Sequence, residues 1–238
     1  MLTVVLQQGI NGIVFGSLYV LVALGLTLIY GVLVQINFAH ADVVTIGVST
    51  LLQNAMLLWF GPIPYAFDSP YSNKVIRLWG GTFITLQNLI IVVVSTLTIA
   101  LLYAFMKFTF MGKALRAVSQ DRETAGLMGV NPNQLIMLTF VIASALAGMG
   151  GAMLGPILVL TPFAGTTVIV KAFAIVIIGG FGNVEGTIIA GLVVGLIESY
   201  TTQFVNPGLT DIVVFTLLLL MLALRPTGLI AEKREENV

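Results

Sequence analysis

The densest group of charged residues inside the chain lies at positions 112–129, in the segment GKALRAVSQDRETAGLMG. Only 8% of the 238 residues are charged, yet five charged side chains of both signs occur in this segment. They are Lys113, Arg116, Asp121, Arg122 and Glu123. Side chains of this kind can pair across a water-exposed interface. Because long apolar runs flank the segment, it is typical of a polar helical loop on which a membrane protein docks a water-soluble partner.

The composition indicates a membrane protein. Hydrophobic residues make up 58% of the chain and the mean hydropathy is +1.07, whereas about a quarter of the residues in a soluble domain are charged. A helix needs about 20 apolar residues to cross a bilayer, so the chain has room for about seven spans. We therefore expect an all-α, polytopic integral membrane helical bundle that forms one domain over residues 1–238.

Charge and residue types exclude several functions. The net charge is zero, which excludes a nucleic-acid role based on phosphate neutralisation. The chain has no cysteine, so thiolate metal sites and thiol nucleophiles are excluded. His40 is its one histidine, and a multi-histidine metal site is impossible. We expect neither a metal nor a cofactor.

Apolar runs and their interruptions place the spans. We predict them near residues 10–33, 43–60, 82–106, 133–158, 166–182, 187–203 and 210–224. Residues 61–81 are predicted to be a loop. Asn131 and Pro132 have the residue types of an N-cap followed by the first helical position.

The basic residues predict the orientation. Lys107 precedes three further Lys and Arg residues at positions 112–122, and three more lie near the C-terminal end. The positive-inside rule places both regions in the cytoplasm, so the loop at residues 107–132 would be cytoplasmic and the N-terminus outside. Lys74 and Arg77 would then lie outside, as a mild exception.

Part of the charged loop resembles the inner-membrane permeases of ABC importers. Glu123, Ala125 and Gly129 have the spacing E-x-A-x-x-x-G, which is similar to the "EAA" loop whose short coupling helix inserts into a groove of an ATPase subunit. A small residue after the acid would permit close approach, and Gly129 can end a helix in a left-handed conformation. The resemblance implies an ATPase-coupling role for Arg116, Asp121, Arg122, Glu123, Thr124, Ala125 and Gly129. The alternative is a solvated amphipathic loop, as in any polytopic protein.

Six further segments are similar, in order, to the branched-chain amino-acid permease family. They lie at residues 35–41 (QINFAHA), 112–117, 138–142, 171–173, 178–186 and 225–228. The resemblance covers nearly the whole chain and is strongest to the subgroup with INFAHG, whose final glycine is Ala41 here. It implies an inner-membrane permease for branched-chain or other hydrophobic amino acids. Its partners would be two ATPases, a second related permease in a heterodimer, and a periplasmic or lipid-anchored substrate-binding protein.

The chain departs from the family between residues 42 and 49. In the family, further membrane helices separate the INFAHG segment from the segment that resembles residues 45–54 here. In this chain the two segments are joined directly. About two spans are therefore absent, which is about 40 to 60 residues if a span takes about 20. Natural compaction, an error in the gene's assigned boundaries and an edited sequence all remain open. If two spans were removed, we expect a stretched link near this junction, whereas a compact turn between antiparallel helices would indicate a true short-form permease.

Polar residues in apolar surroundings are candidates for the substrate pathway, because charges within the membrane are functional candidates by default. They are Asn37, His40, Asn54, Lys171 and Glu198. For His40 a structural turn is preferred to a proton relay. Lys171 and Glu198 could pair with each other or with a neighbouring subunit, although the preferred interpretation is that Lys171 snorkels to the outer interface. Glu185 is expected to contact the ATPase or close a gate.

Rival functions differ in their source of energy. The phosphate-binding motif G-x-x-x-x-G-K-[ST] does not occur in the sequence. We therefore expect that this chain does not hydrolyse ATP and that a partner subunit does so. A secondary transporter would use the breaks near residues 37–42 and 179–186 as discontinuous helices. An intramembrane enzyme is disfavoured because no nucleophile and base are suggested by spacing. Within the favoured class, urea or short-chain amide import is the alternative. In the favoured class, residues 119–128 should form one short helix at the cytoplasmic surface.

Overall fold

The computed structural model describes residues 1–33, 38–65, 69–159 and 161–230. Within these residues the chain forms nine α-helices and one short hairpin. The helices are α1 (Leu2–Leu33), α2 (Phe38–Phe60), α3 (Leu86–Phe108), α4 (Phe110–Gln120), α5 (Arg122–Leu127), α6 (Pro132–Leu154), α7 (Ala164–Gly179), α8 (Val184–Phe204) and α9 (Thr210–Leu224). The strands are β1 (Val75–Arg77) and β2 (Phe83–Thr85).

The helices are those of a multi-pass membrane protein. In the described part of the chain, five are long and apolar enough to cross a bilayer: Leu2–Val32, Leu86–Phe108, Pro132–Leu154, Val184–Phe204 and Pro207–Leu224. Helix α7 is apolar but shorter. The all-α polytopic fold is therefore confirmed, and the predicted helical segments coincide with helices to within a few residues except at the start of α1.

The hairpin is the element that the sequence interpretation missed. The two strands pair antiparallel, with Val75 opposite Thr85 and Arg77 opposite Phe83. A turn at Trp79–Gly81 joins them. β-Branched residues such as Ile76 and Ile84 favour strands, and the pair of glycines supplies the positive backbone angles of the turn. Helix α3 consequently begins at Leu86, after the hairpin, and not at the predicted residue 82.

The junction at residues 42–49 is helical. Helix α2 runs from Phe38 to Phe60 without interruption, five residues longer at its start than the predicted span. Neither a stretched link nor a compact turn lies between residues 42 and 49. Residues 34–37, which connect α1 to α2, lie outside the described part of the chain.

Helix α1 is the centre of the bundle. In the most apolar 18-residue stretch of α1, 78% is buried inside the protein, whereas the corresponding share is 11–44% in the other four long apolar helices. It packs on α8, α6, α7 and α3, and Leu18, Leu21 and Leu24 are fully buried. Helices α3, α6, α7 and α8 are arranged around it, so it contacts elements at both ends of the bundle.

Glycines bring α1 and α8 into backbone contact. A Cβ atom built on Gly195 of α8 would overlap the amide nitrogen of Gly16 in α1. Small residues permit such close approach between membrane helices, where packing and not hydrophobic burial drives association. Gly12 and Gly16, spaced four residues apart, form the α1 side of this contact.

Two ends of the bundle can be distinguished. At the first, called the hairpin end, Gln7 Nε2 donates to the carbonyl of Phe83 at 2.9 Å. At the opposite end lie α4 and α5, together with the segment after α9, whose Leu229 N–H donates to the Ile178 carbonyl at 2.8 Å. We call this the loop end. The charged loop and the described C-terminal segment therefore share one end, opposite the start of α1.

The α1–α8 contact predicts a sharp difference between two glycine substitutions. Gly195→Ala places a methyl group against backbone atoms, and overpacking of this kind costs about 1–3 kcal/mol. We expect a lower midpoint of thermal unfolding for the detergent-solubilised protein. Gly148→Ala in α6 is the matched control because its Cβ would meet nothing within 4 Å. Equal midpoints for the two variants would contradict the close contact.

Candidate functional site

The charged loop forms two helices, not the single helix predicted over residues 119–128. Helix α4 ends at Gln120, and Asp121 is extended with φ −148° and ψ 109°. Its Oδ1 accepts hydrogen bonds from the amides of Glu123 at 2.9 Å and Thr124 at 3.0 Å, while Oδ2 accepts from the Thr124 hydroxyl. Asp121 therefore caps α5. The prediction was wrong because this capping side chain breaks the helix one residue before α5.

The same hydrogen bonds keep Asp121 ionised. The side-chain hydrogen bond from Thr124, followed by the backbone amides of Thr124 and Glu123, holds the pKa of this carboxyl below its usual value. Because the folded pKa lies below the unfolded one, the stabilisation is complete at neutral pH and is lost as pH falls through the folded pKa. The cap of α5 is thus intact in any neutral compartment.

The end of α5 follows the sequence prediction. Gly129 has φ +84°, and the Val130 N–H donates to the Ala125 carbonyl at 3.2 Å. Asn131 Oδ1 accepts from the Gln134 amide at 3.4 Å, and Pro132 lies in the first turn of α6. A Cβ on Gly129 would meet nothing within 4 Å, so this glycine serves the left-handed conformation and not close approach within the chain.

One face of α4 and α5 packs against the bundle. The buried residues of this face form a cluster with α6, made of Ala114, Leu115, Val118, Ala125 and Leu135. Ala125 is only 6% exposed, which corrects the expectation that it lies at the partner surface. Its small size lets α5 approach its own neighbouring helices. Arg116, Asp121, Arg122, Glu123, Thr124 and Gly129 are exposed as predicted.

Two apolar residues at the tip of the loop were missed. Leu127 and Met128 are 84% and 81% exposed. The prediction followed charge and motif spacing, which give no weight to apolar side chains between Gly126 and Gly129. Leu127 is the last residue of α5 and Met128 caps its end; together with Glu123 of the same helix they form a mixed charged and apolar surface. We call Glu123, Leu127 and Met128 the loop tip.

The loop is fastened to the bundle on both sides. Arg116 Nη1 donates to the Met106 carbonyl of α3 at 2.8 Å, and Arg122 Nη2 donates to Asn133 Oδ1 of α6 at 2.5 Å. These two predicted coupling residues are therefore engaged within the chain. A displacement of the loop would be transmitted directly to α3 and α6.

Polar contacts at the loop end also connect α3 with α8. Lys107 Nζ donates to Tyr103 OH at 3.0 Å, and Tyr103 OH donates to Glu185 Oε1 at 2.9 Å. A cavity of about 250 Å³ lies between these side chains, α1 and α4. Glu185 thus contacts α3 within this chain. The contact is at Tyr103, one helical turn before Lys107 near the end of α3.

A second polar site lies inside the bundle, between α1, α7, α8 and α9. Lys171 Nζ is 2.8 Å from Glu198 Oε1 and 3.0 Å from Asp211 Oδ1. Tyr19 OH donates to Glu198 Oε1 at 3.0 Å. Lys171, Glu198, Asp211 and Tyr19 are called the charge cluster. The side chains of Lys171 and Glu198 are 9% and 15% exposed, so the preferred interpretation of a snorkelling Lys171 is wrong and the pairing alternative is confirmed.

The sequence interpretation missed Asp211 and Tyr19. Asp211 lies in the first turn of α9, where an acid is favoured by the helix dipole, and it begins the last apolar run. That position could have identified it as a partner for Lys171. Tyr19 lies in a long apolar run with no distinguishing pattern around it, and its role depends on the tertiary contact alone.

A cavity of about 630 Å³ with mixed polar and apolar walls opens beside the charge cluster, toward the hairpin end. Its walls include Lys171 and Glu198. Neighbouring polar groups are fixed by hydrogen bonds between α1 and α8: Ser199 Oγ donates to the Gln8 carbonyl at 2.9 Å, and Gln8 Nε2 donates to Gln203 Oε1 at 3.1 Å. The arrangement provides charges of both signs and hydrogen-bonding groups between apolar helices.

Asn54, another predicted pathway residue, does not line this site. Asn54 is exposed on α2, and its Nδ2 donates to the Thr50 carbonyl at 2.7 Å. Asn37 lies outside the described residues. The backbone of His40 lies in the first turn of α2, so the preferred structural turn at this residue is wrong; its side chain lies outside the described part of the chain.

Comparison with known proteins identifies the family. The family model for the permease component of branched-chain amino acid transport systems matches residues 51–222. The chain therefore belongs to this family of transport permease subunits, which are not enzymes. No solved structure is significantly similar to the chain.

Similarity to individual permeases extends over almost the whole chain. The high-affinity branched-chain amino acid transport system permease protein LivH of Escherichia coli K12 is 29% identical over 300 aligned positions, which cover 98% of this chain and 97% of the relative. The corresponding protein BraD of Pseudomonas aeruginosa is 28% identical, with 98% of each chain covered. The fructose import permease FrcC of Rhizobium meliloti is 30% identical, but over only 44% of this chain.

The alignment with the E. coli relative bears on the predicted shortening. Its 300 positions exceed the 238 residues of this chain by 62. At least that many aligned positions therefore have no counterpart here, an amount similar to the two spans expected to be absent. The family match begins at residue 51, directly after the junction.

The Asp121 cap can be tested by a pair of substitutions. Asp121→Ala removes the acceptor for two amides and weakens the start of α5, whereas Asp121→Asn retains an acceptor. We expect amide hydrogen exchange over residues 122–128 to accelerate about fivefold in the alanine variant and to change little in the asparagine variant. Identical protection in both variants would contradict the capping role.

Proposed function

We propose that this chain is the permease subunit of an ATP-driven importer of branched-chain amino acids in the cell inner membrane. The observation that carries the proposal is its membership of the family together with similarity, over almost its whole length, to relatives named as branched-chain amino acid permeases. The helical architecture and the polar groups inside the bundle suit a membrane pathway. Energy for transport would come from partner subunits.

In this proposal α4 and α5 of this chain dock one ATPase subunit. A second, related permease completes a heterodimer and docks the other ATPase subunit. The exposed loop tip supports it, since Glu123, Leu127 and Met128 present charge and apolar area on α5 and at its C-terminal end. The fastening of Arg116 and Arg122 to α3 and α6 supports a mechanical role. ATP-driven motion of the ATPases would then move the ends of these helices.

The proposed topology has seven spans, with α2 and α7 added to the five helices that satisfy length and hydropathy. The loop end would be cytoplasmic because Lys107, Lys113, Arg116, Arg122 and Arg225 all lie there. The N-terminus and the hairpin would then be outside, where a periplasmic or lipid-anchored binding protein delivers substrate. The cavity beside the charge cluster opens toward that side and would form part of the pathway.

The proposal is tested by uptake into proteoliposomes that contain the complete importer. We expect ATP-dependent accumulation of leucine, isoleucine and valine in the absence of any ion gradient. Preference for urea or short-chain amides would assign the chain to the alternative substrate class. Uptake driven by an ion gradient without the ATPases would contradict the proposal.

Docking through the loop tip is tested by Glu123→Lys. Reversing a charge at an interface disfavours association. We therefore expect the variant to bind the ATPases roughly tenfold more weakly, while its midpoint of thermal unfolding stays unchanged. Lys74→Glu is the matched control, because it reverses an exposed charge at the hairpin end. Equal recovery of the ATPases with both variants would show that Glu123 is not at the docking surface.

A further inference from the structure

The charge cluster holds more negative than positive charge. Lys171 is the single cation among the described members, and Glu198 and Asp211 are two carboxylates within 3.0 Å of its ammonium group. With all three ionised the cluster carries one excess negative charge inside the bundle. Of the two carboxylates, only Glu198 lines the adjacent cavity, so a positively charged group bound there would be placed to balance the excess.

Hydrogen-bonding capacity in the cluster is also incomplete. Glu198 Oε2 is buried and has no hydrogen-bond partner among the described residues, which is uncommon for a carboxylate oxygen. A lysine ammonium has three donors, and the two carboxylates engage two of those on Lys171. One acceptor and one donor are therefore left next to each other.

The adjacent cavity could hold a small amino acid. Its volume of about 630 Å³ lies within the usual range for small-molecule sites. Lys171 and Glu198 form part of one wall, while Phe15, Leu158 and Val168 provide apolar surface elsewhere. This combination offers a charged end and an apolar end to a single ligand.

We propose that the Lys171–Glu198 pair binds the charged backbone groups of an α-amino acid in transit. Glu198 accepts the substrate's ammonium group, Lys171 donates to its carboxylate, and the apolar side chain lies against Phe15, Leu158 and Val168. Glu198 Oε2 is closed to solvent in this structure, but the terminal torsion of glutamate is broad, and a rotation of the carboxylate presents the oxygen to the cavity. The inference rests on the proposed import of amino acids and assigns the residues that recognise them.

Two charge-matched substitutions test this site. Glu198→Gln and Asp211→Asn each remove one negative charge from the same cluster, but only the first replaces the unpartnered acceptor oxygen. Asp211 has a side chain that is 55% exposed, and exposed ion pairs contribute little. For radiolabelled leucine and the purified full-length chain in lipid nanodiscs, we expect at least tenfold weaker binding for Glu198→Gln and about twofold or less for Asp211→Asn. Equal effects of the two variants would overturn the assignment.

Competition on the unsubstituted chain gives a test that does not depend on the folding of a variant. We expect 3-methylbutylamine, which keeps the ammonium group, to displace leucine more effectively than 4-methylpentanoate, which keeps only the carboxylate. Equal competition by the acid, or no saturable leucine binding, would overturn the site. If the complete importer takes up leucine normally with Glu198→Gln, the site fails and the proposed function stands. If the unsubstituted importer takes up no branched-chain amino acid, the proposed function itself fails.

Discussion

The contact between α1 and α8 determines the geometry of the rest of the molecule. In a lipid environment apolar surface alone does not hold helices together, so close packing and hydrogen bonds must do so. Gly16 and Gly195 meet at a distance that leaves no room for a Cβ atom. The contact aligns Gln8 with Ser199 and Tyr19 with Glu198. Without it the charge cluster would lose its α1 member and the cavity would lose one wall.

Helix α8 connects the two candidate sites. Near its start, Glu185 accepts from Tyr103 of α3, which leads into the charged loop; thirteen residues later, Glu198 pairs with Lys171. In the proposed importer, a displacement of α4 and α5 by an ATPase would reach α3 through Arg116, and α8 through Tyr103. The helix is therefore placed to link events at the loop end to the cavity near the hairpin end.

The sequence predicted those features that depend on local patterns. Apolar runs located the long helices, and the turn chemistry of Gly129, Asn131 and Pro132 was confirmed. The break at Asp121 was missed because, in sequence alone, an acid within a charged segment resembles any solvated residue. Only the hydrogen bonds from the amides of Glu123 and Thr124 show that it caps α5. The partnership of Lys171 with Asp211 was missed because it joins helices that lie apart in sequence. Burial of Ala125 likewise depends on tertiary packing and not on the motif that contains it.

In the proposed importer energy enters through α5, and cross-linking tests this coupling most directly. The chain has no cysteine, so a single Leu127→Cys substitution places one thiol at the loop tip. With a short bifunctional thiol–amine reagent applied to the assembled importer, we expect a covalent adduct between this chain and an ATPase subunit. Leu78→Cys, at an exposed position of the hairpin end, should give none. An adduct from Leu78→Cys but not from Leu127→Cys would contradict both the docking surface and the orientation.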